Sequence, residues 1–337
     1  MIKHRILVAG ATGQIGAQNV HLLLDQGHYV RALVRRPDAQ VLGLDGAGGT
    51  LDYAVGALED RASLVKALDR IDTVVSSANG IIPSGKTMSV KAMSAGGYED
   101  FISAAEEAGV RHWVQSSVPC WDHEKSVPEL AGKRLIEDRL ARSPIATTIV
   151  RNPAFMDVWL VMAGARQATA HHPHATTKRN YGFMKMWQGL VGNLVAKRGI
   201  LLAPGVKAHG APFVATIDVA HMMAGVVGKQ ASYNRTLEAG GPEWLTWGEV
   251  ATLLSKKTGR PVRVVTLPAW FARLGQGMMT PVSPSAANIL ALVRLVASHQ
   301  PRWEAPSVVE EFDLPPQTTV AEYLDRNWSD GADLTSG

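Results

Sequence analysis

Gly10-Ala11-Thr12-Gly13-Gln14-Ile15-Gly16 is the stretch that decides the fold. Its three glycines stand three residues apart. They follow the apolar run Arg5–Ala9, which reads as a buried strand. They precede the helical pattern Gln14–Gln26, whose apolar face is Val20, Leu22, Leu23 and Leu24. At such a junction each glycine has its own task. Gly10 permits the tight turn, Gly13 has no Cβ and lets a pyrophosphate approach the backbone, and Gly16 lets the helix pack closely on the strand. The first N–H groups of the helix and the positive end of its dipole then face the phosphate. Thr12, Gln14 and Ile15 complete this candidate phosphate-binding loop. The alternative is an ordinary βα turn; a strand before and a helix after are the context that separates the two.

Outward from the loop, short apolar runs alternate with helical patterns. Tyr29–Val34 and Asp52–Val55 read as strands, Arg61–Leu68 as a helix and Ile71–Ser76 as a strand. Tyr98–Ala108 reads as a helix, Arg111–Ser116 as a strand, Gly132–Arg142 as a helix and Ala146–Val150 as a strand. This alternation predicts an α/β fold, a doubly wound parallel Rossmann sheet, with right-handed crossovers. After Arg151 the texture changes. Residues 156–212 are rich in Met, Trp and His and alternate weakly. Thr216–Ala220 reads as a strand end running into a helix that Asp218 caps. Thr246–Thr258 reads as a helix with a capping box, Thr246 with Glu249, stopped by Gly259 and Pro261. Ala286–Ser298 is an apolar helical stretch. The expected division is a cofactor-binding domain of residues 1–155 and 213–240. A smaller, mainly helical substrate-capping region takes 156–212 and 241–328, and 329–337 form a flexible tail.

The composition narrows the function classes. The chain has 337 residues, 46% hydrophobic and 19% charged, as in globular proteins. No apolar run of about 18 residues suggests a transmembrane helix, and Met1–Val8 shows no signal-peptide pattern. The single cysteine, Cys120, excludes an intrachain disulfide and a multi-cysteine metal site, and points to a reducing cytoplasm. The net charge is +4, with no block of five or six like charges. Nucleic-acid binding is therefore not expected; a weak pull on anionic ligands is. His171-His172-Pro173-His174 suggests no metal, because adjacent histidines do not readily converge on one ion and no carboxylate cluster follows.

The second strand should reach the adenosine ribose. It runs Val30-Arg31-Ala32-Leu33-Val34-Arg35-Arg36-Pro37, with no carboxylate at its end. Arg35 and Arg36 offer guanidinium forks that suit a 2′-phosphate, which favours NADP(H) over NAD. The alternative is that both are solvated, a reading that fits Arg36 better than Arg35.

The glycine loop with Arg31-Ala32-Leu33-Val34-Arg35 resembles the NmrA-like branch of the atypical short-chain dehydrogenases/reductases. So do Ala105-Glu106-Glu107-Ala108-Gly109-Val110, Ile149-Val150-Arg151-Asn152-Pro153-Ala154-Phe155-Met156, Asp218-Val219-Ala220, and Gly240-Gly241-Pro242-Glu243 with Thr246-Trp247. The match runs in order over roughly residues 5–265. The resemblance implies a family of NADPH-dependent reductases, isoflavone-reductase-like and quinone-reductase-like, that also contains redox sensors without turnover. It implies that Gly56, Ala57 and Leu58 lie over the adenine, although many relatives carry Asp where this chain has Ala57. It implies that Ser76, Ser77 and Ala78 line the pyrophosphate and ribose, with tight packing as the alternative. Pro153 and Phe155 stand as implied cofactor contacts.

Hydride transfer to a carbonyl needs a proton donor or an oxyanion stabiliser. Typical short-chain dehydrogenases use Tyr with Lys four residues later. Here Lys133 is the lysine, and four residues before it stands Glu129. Isoflavone-reductase-like relatives also lack the Tyr and keep the Lys, so the resemblance implies that Lys133 touches cofactor or substrate. The alternative is a solvated helix lysine. Ser116 and Ser117 end the fifth strand, where standard enzymes keep a substrate-binding serine; Ser117 is a candidate catalytic residue. His123, in the loop Pro119–His123, is a second candidate proton donor, with a plain surface loop as the alternative. Met156, Trp159, Met162, Tyr181, Met184 and Trp187 form either a deformable apolar wall or the core of the capping region.

The expected function is NADP(H)-dependent reduction of a small apolar or aromatic carbonyl, quinone or enone. The alternative is a non-catalytic NADP(H)-sensing regulator. A scaffold subunit, the third option, has no use for the glycine loop. The expected partner is the small substrate, with no nucleic acid and no membrane; a homodimer is left open.

Overall fold

The computed structural model of the chain describes residues 3–42, 48–78, 96–179, 181–300 and 308–329. Seven strands form one parallel sheet. They are β1 (Arg5–Ala9), β2 (Tyr29–Val34), β3 (Thr50–Val55), β4 (Thr73–Ser76), β5 (His112–Ser117), β6 (Ala146–Arg151) and a late strand, Arg235–Glu238. The order across the sheet is β3-β2-β1-β4-β5-β6, then the late strand. β1 is flanked by both β2 and β4, with Ile6 opposite Val30 on one side and Thr73 on the other. The order therefore reverses between β1 and β4. In open α/β sheets that switch point is where a crevice opens at the carboxyl ends of the strands.

Successive strand residues face opposite sides, so β1 feeds two cores. Ile6 and Val8 pack with Val20 and Leu23 of helix α1 (Gln14–Asp25) and with Val219, Met222 and Met223 of the helix Thr216–Gly225. Leu7 and Ala9 pack on the other face with Leu64, Phe101, Ile102 and Trp113. Both faces of β1 are covered, which is why it reads as a continuous apolar run rather than an alternating one.

Two elements differ from their sequence readings. The Lys133 helix spans Pro128–Ala141 and begins one turn before Gly132. Pro128 suits the first helical turn, where its missing N–H costs nothing. Residues 216–220 contain no strand end: they open the helix Thr216–Gly225, and Ala215 rather than Asp218 precedes it. Asp218 lies inside the first turn and accepts hydrogen bonds from Thr318, 2.8 Å from its backbone N and 3.1 Å from its hydroxyl. The carboxylate that caps this helix is Asp157, which accepts from Thr216 N at 3.0 Å. A long-range cap leaves no local sequence signature. The capping box of Thr246 and Glu249 is present.

A third core gathers Met156, Leu160, Phe213, Trp247, Leu254, Val320 and Tyr323. Met156 is thus a core residue, fully buried. Trp159 packs against this cluster, and the Trp187 indole donates to the Met162 carbonyl at 2.9 Å. The helices Ala269–Met279 and Pro284–Ser298 form a hairpin. The second of them places Ala291 and Leu295 against Val127 and Leu130 at the start of the Lys133 helix. Val308 and Phe312 return to the sheet core beside α1. Of the tail 329–337, only Ser329 lies within the described residues; its N donates to the Gln167 carbonyl at 3.0 Å.

One buried group makes stability pH-dependent. His112 is 1% exposed. Its Nδ1 accepts from Gly228 N at 3.3 Å, so the neutral ring carries its proton on Nε2, 3.0 Å from the Thr148 hydroxyl. Burial, helped by His4 and opposed by Asp72, pushes its pKa down to about 4. The unfolded chain therefore binds a proton between pH 6.5 and 4 that the native chain does not. The contribution of His112 is complete above pH 6.5 and is lost as the pH falls through that window, by about 3 kcal/mol. Urea unfolding from pH 7 to pH 4 should show this slope, and His112→Gln should flatten it. An equal slope in the variant assigns the acid sensitivity to other groups.

Candidate functional site

The glycine loop lies at the switch point. Gly10 has φ +80°, and a Cβ there would stand 2.8 Å from Ala78 N, so the turn after β1 touches the turn after β4. A Cβ on Gly16 would run into the Gly10 carbonyl. Gly13 differs from both. Its N donates to the Gly10 carbonyl at 2.7 Å, and a Cβ would meet only that carbonyl oxygen, at 3.0 Å. The outer side of the loop is open there. Gly13 precedes α1, whose first turn has no side-chain cap and no acidic residue. Uncapped N–H groups at the positive end of a helix dipole, beside open space where a Cβ would intrude, fit a pyrophosphate.

The flanking strand ends are partly committed. The Ser76 hydroxyl is buried and lies 2.8 Å from the Tyr98 hydroxyl, which donates to the Ala78 carbonyl at 2.8 Å. Ser76 thus shapes the turn through Tyr98, and Ser77 and Ala78 form its surface beside Gly10 and Gly16. At the end of β3, a Cβ on Gly56 would stand 2.7 Å from the Ser63 hydroxyl. Ala57 N donates to that hydroxyl at 3.2 Å, and Leu58 is buried. Arg35 and Arg36 are exposed at the end of β2, and Arg36 pairs loosely with Asp38 at 3.6 Å. Pro153 and Phe155 follow β6; Phe155 bridges to Val214.

Lys133 is 5% exposed, not a solvated lysine. Its Nζ donates to the Ser116 carbonyl at 3.1 Å. Burial lowers its pKa; Glu129 and Glu137 oppose that shift and Arg134 adds to it. Glu129 is also buried, one turn before Lys133 on the same face. Its N donates to Asn288 Oδ1 at 3.1 Å, which ties the helix Pro284–Ser298 to this one. The Ser116 hydroxyl donates to Asn152 Oδ1 at 3.1 Å. The Ser117 hydroxyl donates to Glu137 at 2.5 Å, and Glu137 pairs with Arg134 and Arg151. Burial acts against the Glu137 carboxylate, but Arg151, Arg134 and Ser117 together hold its pKa low. His123 is exposed, at φ +63°, with its ring 5.0 Å from that of His299. The fold thus brings Lys133, Glu129, Ser116 and Asn152 together. It turns Ser117 toward a neighbouring ion-pair network and His123 toward the hairpin.

Two features of the site escaped the sequence reading. The first is a buried polar node. Gln14, 4% exposed, donates from Nε2 to Asp157 at 2.8 Å and to Thr216 at 2.9 Å, and its Oε1 accepts from Thr176 N at 2.9 Å. Burial raises the Asp157 pKa against these bonds. The second is Arg179, whose guanidinium donates to the Thr12 carbonyl inside the glycine loop. Both contacts span more than 140 residues of sequence, so no local pattern announces them. Among the described residues no group of three or more His, Cys, Asp or Glu is placed to hold a metal ion, and no helix is long and apolar enough to cross a membrane.

The sequence pattern of the NmrA-like family matches residues 2–324. The NAD(P)H azoreductase of Xenophilus azovorans is 26% identical over 294 residues, 85% of this chain and 86% of that enzyme. An NADPH-dependent quinone oxidoreductase of Escherichia coli, solved with NADPH, superposes with a TM-score of 0.70 at 21% identity, covering 96% of this chain and 100% of that one. The triphenylmethane reductase of Citrobacter sp., solved with NADP(H), gives 0.68 at 17% identity, covering 96% and 99%. At these identities the structural likeness bears on the fold.

Proposed function

The chain belongs to the NmrA-like family, and from that premise we propose that it is an NADP(H)-dependent reductase of a small apolar or aromatic carbonyl, quinone or enone. One observation carries the reading. The loop at the switch point is open at Gly13 and at the uncapped start of α1, and closed by contact at Gly10 and Gly16. The named activities of the relatives, on azo compounds, quinones and triphenylmethanes, support the aromatic substrate class.

In this reading residues 1–155 and 213–240 bind the cofactor, and 156–212 with 241–328 face the substrate. The loop from Gly10 to Gly16 and the start of α1 hold the pyrophosphate, and Arg35 takes the 2′-phosphate. Gly56 to Leu58 lie at the adenine, and Ser77, Ala78, Pro153 and Phe155 at the riboses and nicotinamide. Bound NADPH supplies the hydride. Lys133 holds a proton at Nζ, oriented by the Ser116 carbonyl, and delivers it to the oxygen of the reduced substrate. Glu129, one turn away, opposes the effect of burial by its Coulombic attraction to that ammonium. The single cysteine and the reductase chemistry fit a cytoplasmic protein.

A specific observation favours a second reading, a cofactor-sensing protein without turnover. All three candidate proton donors already have a neighbour inside the protein: Lys133 the Ser116 carbonyl, Ser117 the Glu137 carboxylate, and His123 the His299 ring. Steady-state oxidation of NADPH with a panel of quinones, enones, ketones and azo dyes separates the two. Turnover supports the reductase. Tight NADPH binding with no turnover on any class supports the sensor.

Cofactor choice is tested separately. Losing one charge-assisted hydrogen bond costs about 1.5–3 kcal/mol, or roughly 10–100-fold in affinity. Arg35→Ala should weaken NADPH by that factor and leave NADH nearly unchanged in fluorescence titrations. Equal losses for both cofactors would remove Arg35 from the 2′-phosphate site.

A further inference from the structure

Between Val158 and Ile217 the sequence contains seven Lys and Arg and no Asp or Glu. This stretch more than accounts for the net charge of +4. Part of it, His174–Arg179, is held by three contacts, two on the glycine loop and one on Leu42 beyond β2. Thr176 N donates to Gln14 Oε1 at 2.9 Å. Leu42 N donates to His174 Nε2 at 3.0 Å. The Arg179 guanidinium donates to the Thr12 carbonyl. The segment is anchored as well as apposed, because the same Gln14 side chain is held by Asp157 and Thr216 in the buried node.

The charge on this segment is unbalanced. His174 accepts at Nε2, which requires a neutral ring, and burial together with the Arg179 charge lowers its pKa. Neither Lys178 nor Arg179 forms an ion pair among the described residues. Arg179 is half-buried, and besides the Thr12 carbonyl it donates to the Tyr181 hydroxyl at 3.4 Å. A guanidinium has five N–H donors, and two neutral oxygens neither use them all nor neutralise the charge. A diphosphate does both, through bidentate charge-assisted bonds. Thr12 stands between Gly10 and Gly13, so a cation on its carbonyl is next to the place where a pyrophosphate would meet the Gly13 backbone.

We propose that His174–Arg179 is a clasp over the phosphate end of the cofactor site, and that Arg179 binds the pyrophosphate of the dinucleotide. This rests on the cofactor reading above and adds a second wall to that site, contributed by the capping region. Dinucleotide occupancy then stabilises the seated clasp, so the cofactor and the cap over the substrate are linked through one side chain.

The test uses the full chain and four ligands: NADPH, NADH, ADP-ribose and 2′-AMP. The first three carry a pyrophosphate and the last does not. Arg179→Met should raise the dissociation constants of NADPH, NADH and ADP-ribose alike, by about 10–100-fold, and leave 2′-AMP unchanged. Arg35→Ala should give the complementary pattern, losing NADPH and 2′-AMP and sparing ADP-ribose. Arg179→Lys, which keeps the charge, should recover part of the loss. Unchanged ADP-ribose affinity in a folded Arg179→Met protein overturns the clasp and leaves the cofactor reading standing. An unmutated chain that binds none of the four ligands overturns both. If Arg179→Met does not fold, trypsin decides on the unmutated chain. Saturating ADP-ribose should slow cleavage after Lys178, and an undiminished rate overturns the proposal.

Discussion

Gly13→Val leaves the chain folded and removes NADPH binding, with a loss of at least about 100-fold. The physical reason is local. A Cβ at position 13 meets a single protein atom, the Gly10 carbonyl oxygen at 3.0 Å. The turn accepts it if that carbonyl gives by a few tenths of an ångström, which the folded state of the variant reports. The two methyl groups of valine then fill the open side of the loop. They keep an anion from the N–H groups of the first turn, which no protein side chain caps. Two charge-assisted hydrogen bonds at about 1.5–3 kcal/mol each exceed a hundredfold in affinity. Circular dichroism reports the fold, and fluorescence titration with NADPH reports the binding. Gly16→Val is the contrast: its Cβ collides with the Gly10 backbone, so it should damage folding as well. Normal NADPH affinity in a folded Gly13→Val protein would falsify the assignment of the loop.

Lys133→Met lowers turnover by about 10²–10⁴-fold, the usual contribution of a general acid, and changes NADPH affinity far less. Methionine keeps the length of the side chain and removes the charge. In the proposed site the loop and Arg35 still hold the phosphates. The pH dependence carries the sign. A proton donor works below its pKa, and burial lowers the Lys133 pKa from the ordinary lysine value. Activity should therefore fall with rising pH at a pH below that of a solvated lysine. Lys133→Met should lose this alkaline limb along with the rate. Glu129→Gln should move the limb to still lower pH, because the carboxylate that favours the charged lysine is gone. His123→Ala is the control. Its ring is exposed and lies against His299, so a loss larger than that of Lys133→Met would move the acid to the loop Pro119–His123. Should the unmutated chain reduce no substrate while binding NADPH tightly, Lys133 is a ribose contact in a sensor.

The sequence by itself determined six strands of the sheet and its loop, but not the seventh strand, Arg235–Glu238. Strands with both faces buried must be apolar throughout, and helices between them must repeat at 3.6 residues. Those two periods marked β1 to β6, most of them within a residue or two of their ends. The three glycines were legible because their demands are backbone demands: a positive φ at Gly10 and no room for a Cβ at Gly16 exclude other residues outright. Lys133 was singled out by resemblance, through its place in the helix before β6; its burial was not legible.

Tertiary structure decided what side chains do across long separations. Nothing local indicates that Asp157, not Asp218, caps the helix Thr216–Gly225. The readings of Ser117 and Ser76 as site-facing residues depend on which face of a buried strand end each presents. The fold turns one to Glu137 and the other to Tyr98. The bond that Asn288 accepts from Glu129 N likewise joins residues more than 150 apart in sequence. Arg179 on the Thr12 carbonyl is the same kind of fact. Periodicity encodes which residues are buried and which backbone turns are tight; it does not encode which partner a polar side chain finds once distant segments pack. Ser117 and Ser76 found theirs on helices that flank the sheet, and Thr12 and Glu129 found theirs on segments that follow β6.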